Sequence, residues 1–216
     1  MSLLNFKSCF ALVLLLLTVQ PQANAGQMDK VKTLKGNRDM FLSGMGMAKQ
    51  HQQDFYLGAL YIGDPQRRPE ALEGIGIDKR MEIRIVSEGV TSRSFNRYWG
   101  YLMRMNNSAE KLKKQAKNIK KFYSFFKEGL DHRDTVYFEV DTKDRTLIAI
   151  NGKVVGEIEN PDFYPVLLNT WIGVKGPSEK FKQGVIGGNS NEDALNLMTA
   201  YQSLEVSSSS LVSKDD

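Results

Sequence analysis

Alternating apolar and polar positions mark a series of short strands along the chain. The clearest is Lys79–Ser87, in which charged and apolar residues alternate from Arg80 to Ile85. Its apolar residues would face a core, and its charged residues Arg80, Glu82 and Arg84 would face away. Further strands are predicted at residues 38–47, 54–62, 135–140, 146–150 and 154–158.

Apolar residues at helical spacing mark the helices. The pattern predicts helices over about 91–105 and 109–127, the second with a lysine-rich outer face. A third helix follows Pro161 and ends at Gly173, and a short amphipathic helix covers 193–204. This order favours an α+β fold, in which an antiparallel sheet carries helices packed on one face, as in an open-faced sandwich.

The two ends of the chain differ from its middle. Residues 1–25 combine Lys7, an apolar stretch and an Ala-Asn-Ala sequence, so we predict a signal peptide cleaved near Ala25 and a periplasmic or secreted protein. Residues 26–37 are predicted to be a flexible lead-in with an edge strand, 38–204 the folded domain, and the serine-rich 205–216 a disordered tail.

Composition and charge exclude several classes of protein. The single cysteine lies in the predicted signal peptide, so the exported chain would have no disulfide and no thiolate. The two histidines, His51 and His132, lie far apart in polar contexts, which favours exposed side chains over a metal or catalytic pair. The net charge of +4 is slight, and no nucleic acid partner or cofactor is predicted. The lysine-rich helix face could contact a membrane surface.

Four short motifs follow one another in the second half of the chain. They are Asn151-Gly152-Lys153, a hairpin turn that needs positive φ, then Asp162-Phe163, Trp171-Ile172-Gly173 and Gly176-Pro177-Ser178. Their order and spacing resemble the bacterial chalcone isomerase-like family, over about Arg38 to Gly187. The resemblance implies a ligand cleft between the sheet and the helices. Enzymes of this kind close a flavanone ring by intramolecular addition to an enone, and non-catalytic relatives bind fatty acids.

The residues that the resemblance implies for catalysis are only partly present. The enzymes have an arginine directly after a G-x-G-x pattern, whereas here Gly44–Met47 is followed by Ala48, which removes a charge-assisted contact to an anionic ligand. Tyr56 matches a threonine of the next strand, and Thr170 matches a hydroxyl residue of the late helix. A tyrosine before the first helix pair has no match, and the strong polar group there is Arg93. We therefore expect no chalcone isomerase activity.

The leading hypothesis is a periplasmic protein that binds a small apolar or amphipathic molecule, such as a fatty acid, without catalysis. The residues predicted to bind this ligand are Tyr56, Thr170, Arg38, Arg93, Met47, Trp99 and Trp171, with the two arginines available to replace the missing one. No catalytic residue and no metal ligand is predicted.

Two alternatives remain open at this point. One is an isomerase or lyase-type enzyme with an unknown substrate, which would use Tyr56 and Thr170. The other is a periplasmic interaction module that binds a partner through Lys113, Lys117 and Lys120 or through its C-terminal tail. Tyr56 could equally be a core aromatic, and Thr170 could bond a carbonyl of its own helix.

Overall fold

The computed structural model describes residues 30–66, 72 and 76–204. Its elements in chain order are strands β1 (Lys30–Lys32), β2 (Asp39–Gln50), β3 (Gln53–Ile62) and β4 (Lys79–Ile85), helices α1 (Ser92–Asn106), α2 (Ala109–Lys114) and α3 (Ala116–Tyr123), strands β5 (Thr135–Val140), β6 (Thr146–Ile150) and β7 (Lys153–Ile158), and helices α4 (Phe163–Ile172), α5 (Glu179–Val185) and α6 (Asn191–Ser203). The predicted signal peptide and C-terminal tail lie outside the described residues.

The seven strands form one antiparallel sheet in which neighbours in sequence are neighbours in space. The hairpin between β6 and β7 turns at Asn151 and Gly152, whose φ angles are 49° and 79°. These positive angles are what the Asn-Gly sequence predicts for a two-residue turn. The predicted α+β class with an antiparallel sheet is confirmed.

The main core lies between one face of the curled sheet and the helices α1, α3, α4 and α5. Strand β4 shows how the sequence directs this packing, because Met81, Ile83 and Ile85 have no exposed surface and all lie in this core. Aromatic side chains dominate the helix side of the core, where Trp99 and Trp171 are also fully buried.

A second, smaller apolar cluster lies on the opposite face of the sheet, where Tyr201 and Leu204 at the end of α6 pack against β2 and β3. Arg80, Glu82 and Arg84 of β4 point to this face, as the alternation predicts. They are nevertheless buried, with exposed fractions of 4% for Arg80, 4% for Glu82 and 8% for Arg84. The sequence pattern alone did not indicate this burial, because other segments cover the strand.

Three contacts show what covers Arg80 and Arg84. The Arg80 guanidinium donates to the carboxylate of Glu139 on β5, with an Nε–O distance of 2.9 Å, and to the carbonyl oxygen of Lys32 at 2.7 Å. The Arg84 guanidinium lies 3.7 Å from the ring centroid of Tyr201, so α6 covers this cation with an aromatic face.

The predicted single helix over 109–127 is wrong in its extent. The chain forms two helices that meet at Gln115, and α3 ends at Tyr123. The Gln115 side chain is buried, donates to Asn160 at 3.2 Å and accepts from Asn118 at 2.7 Å. These side-chain bonds fix a residue with φ of −93° and ψ of 6°, which lies outside the helical region and interrupts the helix.

The seven-residue helix α5 is too short to show a clear apolar period, and its start is fixed by Ser178, whose hydroxyl accepts from the backbone N–H of Phe181 at 3.0 Å. None of the helices described between residues 30 and 204 is long and apolar enough to cross a membrane.

Candidate functional site

The structure brings three of the predicted ligand-binding residues together in the main core. Tyr56 on β3 packs edge-on against Trp99 on α1, with ring centroids 5.6 Å apart. Trp99 in turn packs edge-on against Trp171 on α4, with centroids 5.8 Å apart. All three side chains are fully buried, so they form a packed aromatic cluster between the sheet and the helices.

This aromatic cluster contains hydrogen-bond donors that are poorly satisfied. The hydroxyl oxygens of Tyr56 and Tyr98 lie 3.5 Å apart, at the outer limit of a hydrogen bond. The indole N–H groups of Trp99 and Trp171 have no acceptor among the described residues, although Trp171 lies near the Tyr56 hydroxyl. Buried indole N–H groups usually have a hydrogen-bond partner. These two N–H groups are therefore available to an acceptor atom of a ligand.

Burial determines the charge state of the two tyrosines. It raises the pKa of Tyr56 well above its ordinary value and raises the pKa of Tyr98 to about 12. Both hydroxyls are therefore neutral near pH 7, and they can donate a hydrogen bond but cannot act as a phenolate base.

Thr170 is also fully buried, but its hydroxyl donates to the carbonyl oxygen of Leu167 in the same helix, at 2.6 Å. This is the local helix bond that the sequence left open as an alternative to a ligand contact.

Ala48 takes the position where the resemblance implies an arginine. It lies directly opposite Tyr56 in the pairing of β2 with β3, and it has no exposed surface. Only a methyl group faces the core here, so the strand supplies no charge to a ligand on this side.

The Gly44-x-Gly46 pattern has a packing role. A Cβ atom on Gly44 would lie 2.1 Å from the carbonyl oxygen of Gly184, and one on Gly46 would lie 2.9 Å from the Phe181 ring. Both contacts are too close, so these glycines allow α5 to approach β2. The Phe181 ring also packs edge-on against Tyr56, with centroids 5.8 Å apart, and so lies between Gly46 and the aromatic cluster.

A cavity of about 670 Å³ lies on the other side of Gly46, between the end of the β2–β3 hairpin and the helices α5 and α6. It is lined by Gly46, Met47, Lys49, His51, Gln52, Pro177, Ser178, Lys180, Asn189, Asp193, Asn196 and Leu197. Met47 is the predicted ligand-binding residue in this lining, and its side chain packs toward the second cluster rather than toward Tyr56. We refer to this space as the β2 cavity.

The β2 cavity has an apolar wall and two cations at its edge. Lys49 pairs with Asp54 at 3.3 Å and Lys180 pairs with Asp193 at 3.4 Å, and both lysine side chains are more than half exposed. Asn189 closes one side, because its amide donates to the backbone carbonyl of Met45 at 2.9 Å on β2.

The two arginines predicted to bind a carboxylate lie elsewhere. Arg38 makes a bidentate pair with Asp78, at 2.7 and 2.8 Å, which occupies its guanidinium. Arg93 is exposed near the start of α1. Neither side chain lines the β2 cavity or belongs to the aromatic cluster.

The histidines occupy exposed positions, as predicted. His51 is at the β2–β3 turn, and His132 lies after α3 with its Nδ1 atom 2.7 Å from the carbonyl oxygen of Val86. Over the described ranges, no three His, Cys, Asp or Glu side chains come together as a metal site would require.

Sequence reasoning missed most of the cavity lining. Lys180 and Leu197 belong to α5 and α6, and only the tertiary fold brings them beside β2. One signal was available: glycine within a strand pattern indicates a close backbone approach, which here is the approach of α5.

The comparisons with known proteins identify a family and a similar fold. The chalcone isomerase-like family profile matches residues 22–187, more than two thirds of the chain. The fold is similar to the crystal structure of a fatty-acid binding protein from Arabidopsis thaliana, with a TM-score of 0.54 and 15% identity, over 79% of this chain and 99% of the other. No curated protein sequence matches the chain. The match over most of the folded domain, together with the fold, shows that the chain belongs to the chalcone isomerase-like family.

Proposed function

We propose that the protein binds a small amphipathic acid, such as a fatty acid, in the β2 cavity and does so without catalysis. The observation that carries this proposal is the cavity itself. Its volume of about 670 Å³ lies in the range of about 300–1,000 Å³ that is typical of small-molecule sites. Its lining combines the apolar side chains of Met47, Pro177 and Leu197 with eight polar or charged residues, which suits an amphipathic ligand better than a purely apolar one.

The two lysines provide a place for the acid group. Both Lys49 and Lys180 make long, solvent-exposed ion pairs, which are worth little in free energy. A ligand carboxylate can therefore compete with Asp54 and Asp193 for these ammonium groups. The hydrocarbon part of the ligand would then lie against Met47, Pro177 and Leu197.

Three observations support binding rather than catalysis. Ala48 supplies no cation, the Thr170 hydroxyl is bonded within its helix, and burial keeps Tyr56 neutral. These groups give no base or charged electrophile in the aromatic cluster. The Arabidopsis protein of similar fold is described as a fatty-acid binding protein, which supports this ligand class.

The proposed location is the periplasm, after cleavage near Ala25. The apolar stretch and the Ala-Asn-Ala sequence before residue 26 support it. The mass of the protein purified from a periplasmic extract tests this location, because a cleaved chain would lack the first 25 residues. A full-length mass in the membrane or cytoplasmic fraction would contradict it.

The binding proposal is tested by titrating the purified chain with a fluorescent fatty acid and by native mass spectrometry of the protein as isolated. Leu197→Trp would fill the β2 cavity and should weaken binding at least tenfold. Leu195→Trp is the matched control, because Leu195 lies on the same helix, is 64% exposed and does not line the cavity. Equal affinity in the two variants would contradict the assignment of the site.

A second variant distinguishes ligand binding in the β2 cavity from ligand binding in the aromatic cluster. The roles of Tyr56, Trp99 and Trp171 in binding remain a prediction from the resemblance. Tyr56→Phe removes a hydroxyl from the cluster and leaves the cavity lining unchanged. Unchanged binding in Tyr56→Phe places the ligand in the cavity, whereas a tenfold loss would place its polar group in the cluster.

A further inference from the structure

Positive charge is concentrated in about one fifth of the folded domain. Residues 93–127 contain ten lysines and arginines and one acidic residue, Glu110, and so carry a net charge of +9. Because the whole chain has a net charge of +4, the remaining residues together carry −5. The slight net charge of the whole chain is therefore the sum of a strongly cationic helical region and an acidic remainder.

Six of the cations in this region are exposed and lie on α1, α2 and α3, and we refer to these six together as the basic face. Its members are Arg97 and Arg104 on α1 and Lys113, Lys117, Lys120 and Lys121 on α2 and α3. Lys114 pairs with Glu110 at 2.9 Å, but none of these six has a carboxylate within ion-pair distance among the described residues. Their charges are thus available to an external anion.

Apolar side chains lie among these cations. Tyr101 and Met105, one helical turn apart on α1, are 53% and 44% exposed. Beside them, a groove of about 570 Å³ runs between α1 and the α2–α3 pair. Leu112 and Ile119 line this groove, and Lys113 lies on its edge.

We propose that the basic face docks on an anionic phospholipid bilayer, with its lysines against the phosphate groups and with Tyr101 and Met105 in the interfacial layer. Each cation near an anionic surface contributes about 1 kcal/mol of attraction. Aromatic and apolar side chains between the cations add burial in the interface, as in helices that lie on membranes. A nucleic acid backbone would satisfy the cations but would leave the two apolar side chains without a partner.

This proposal is independent of ligand binding. The basic face and the β2 cavity share no residue, so a variant of one leaves the other intact. A protein that rests on a bilayer through α1–α3 while holding an amphipathic acid elsewhere would be suited to taking such acids from the membrane.

The test is co-sedimentation of the purified chain with vesicles of phosphatidylglycerol and phosphatidylcholine in equal parts, compared with phosphatidylcholine alone. We expect at least tenfold stronger binding to the anionic vesicles and a loss of binding as salt rises. Lys113→Glu/Lys117→Glu should reduce binding at least tenfold. The control pair Lys143→Glu/Lys153→Glu makes the same charge change at exposed positions outside α1–α3 and should reduce it less than threefold.

A second variant pair tests the apolar part of the surface. Tyr101→Ser/Met105→Ser keeps every charge and should weaken binding to the anionic vesicles severalfold while leaving binding to heparin unchanged. Vesicle binding unaffected by this change would overturn the lipid assignment and indicate a partner recognised by charge alone. Equal losses in the two lysine pairs, or no preference for anionic vesicles, would overturn the docking surface.

Discussion

Ala48 and Tyr56 face each other across strands β2 and β3, and both are fully buried in the aromatic core. The resemblance to chalcone isomerases implies an arginine in place of Ala48, at the centre of an anion-binding cleft. In this chain, Tyr56, the strand partner of Ala48, is packed edge-on by the rings of Trp99 and Phe181. The same fold therefore has a filled core here and an open cavity on the other side of Gly46.

Introducing an arginine at position 48 should not open a ligand cleft in the core. Ala48→Arg would place a guanidinium in the core without a carboxylate partner, so we expect the free energy of unfolding to fall by about 3–5 kcal/mol. Urea denaturation measures this loss. Lys49→Arg is the neighbouring control at an exposed position and should change stability by less than about 0.5 kcal/mol. A variant Ala48→Arg as stable as the natural chain would show that the cluster has space for the side chain.

Gly58 on β3 should tolerate no side chain while Phe181 is present. A Cβ atom there would lie 2.8 Å from the Phe181 ring, so Gly58→Ala should lower stability by about 1–3 kcal/mol through overpacking. In a Phe181→Leu background, the same substitution should cost much less, because the clashing ring is gone. A double-mutant cycle of unfolding free energies measures this coupling, and additive effects would mean that the ring does not limit the site.

The buried pair of Arg80 and Glu139 should be sensitive to the loss of one partner. Glu139 is fully buried and accepts from the Arg80 guanidinium and from the backbone N–H of Leu34 at 2.9 Å. Glu139→Gln leaves a buried cation without its main partner and should cost about 3–5 kcal/mol.

The control for this pair is Glu110→Gln, since Glu110 pairs with Lys114 on the surface. Breaking that exposed pair should cost about 0.3–0.5 kcal/mol. Both losses of unfolding free energy are measured by thermal or urea unfolding. Similar losses in the two variants would show that the buried pair is no more sensitive than the exposed pair.

Asp141 should make the fold sensitive to acid. Burial disfavours its charged form, but hydrogen bonds from the Arg145 side chain and from the backbone amides of Arg145 and Lys143 outweigh this effect and lower the pKa of Asp141. A carboxylate with a lowered pKa contributes stability above its unfolded pKa, which is near 4, and this contribution is lost as pH falls through the folded pKa.

Asp141→Asn should therefore lower stability at pH 7 and reduce the difference between unfolding free energies at pH 7 and pH 3. Thr142→Ser, at the adjacent exposed position, has no titrating group and should keep the natural difference. If Asp141→Asn keeps the full pH difference as well, the acid sensitivity resides in other carboxylates.

Local patterns in the sequence were sufficient for the elements whose structure depends on near neighbours. The alternation in β4 predicted which residues face the main core, and Asn151-Gly152 predicted the hairpin because its turn requires positive φ at both positions. The apolar stripe that includes Trp99 predicted α1 and its buried face. These features follow from backbone sterics and from the side-chain period of each element.

The tertiary structure decided everything that depends on distant segments. The sequence could not show that Arg80 would be buried against Glu139, that Gln115 would break a helix by bonding Asn160, or that α6 would cover the second face of the sheet. The β2 cavity exists only because α5 and α6 approach the same strand. Burial and cavities depend on which surfaces meet in space, and a local pattern of residues carries no information about the surface that will cover it.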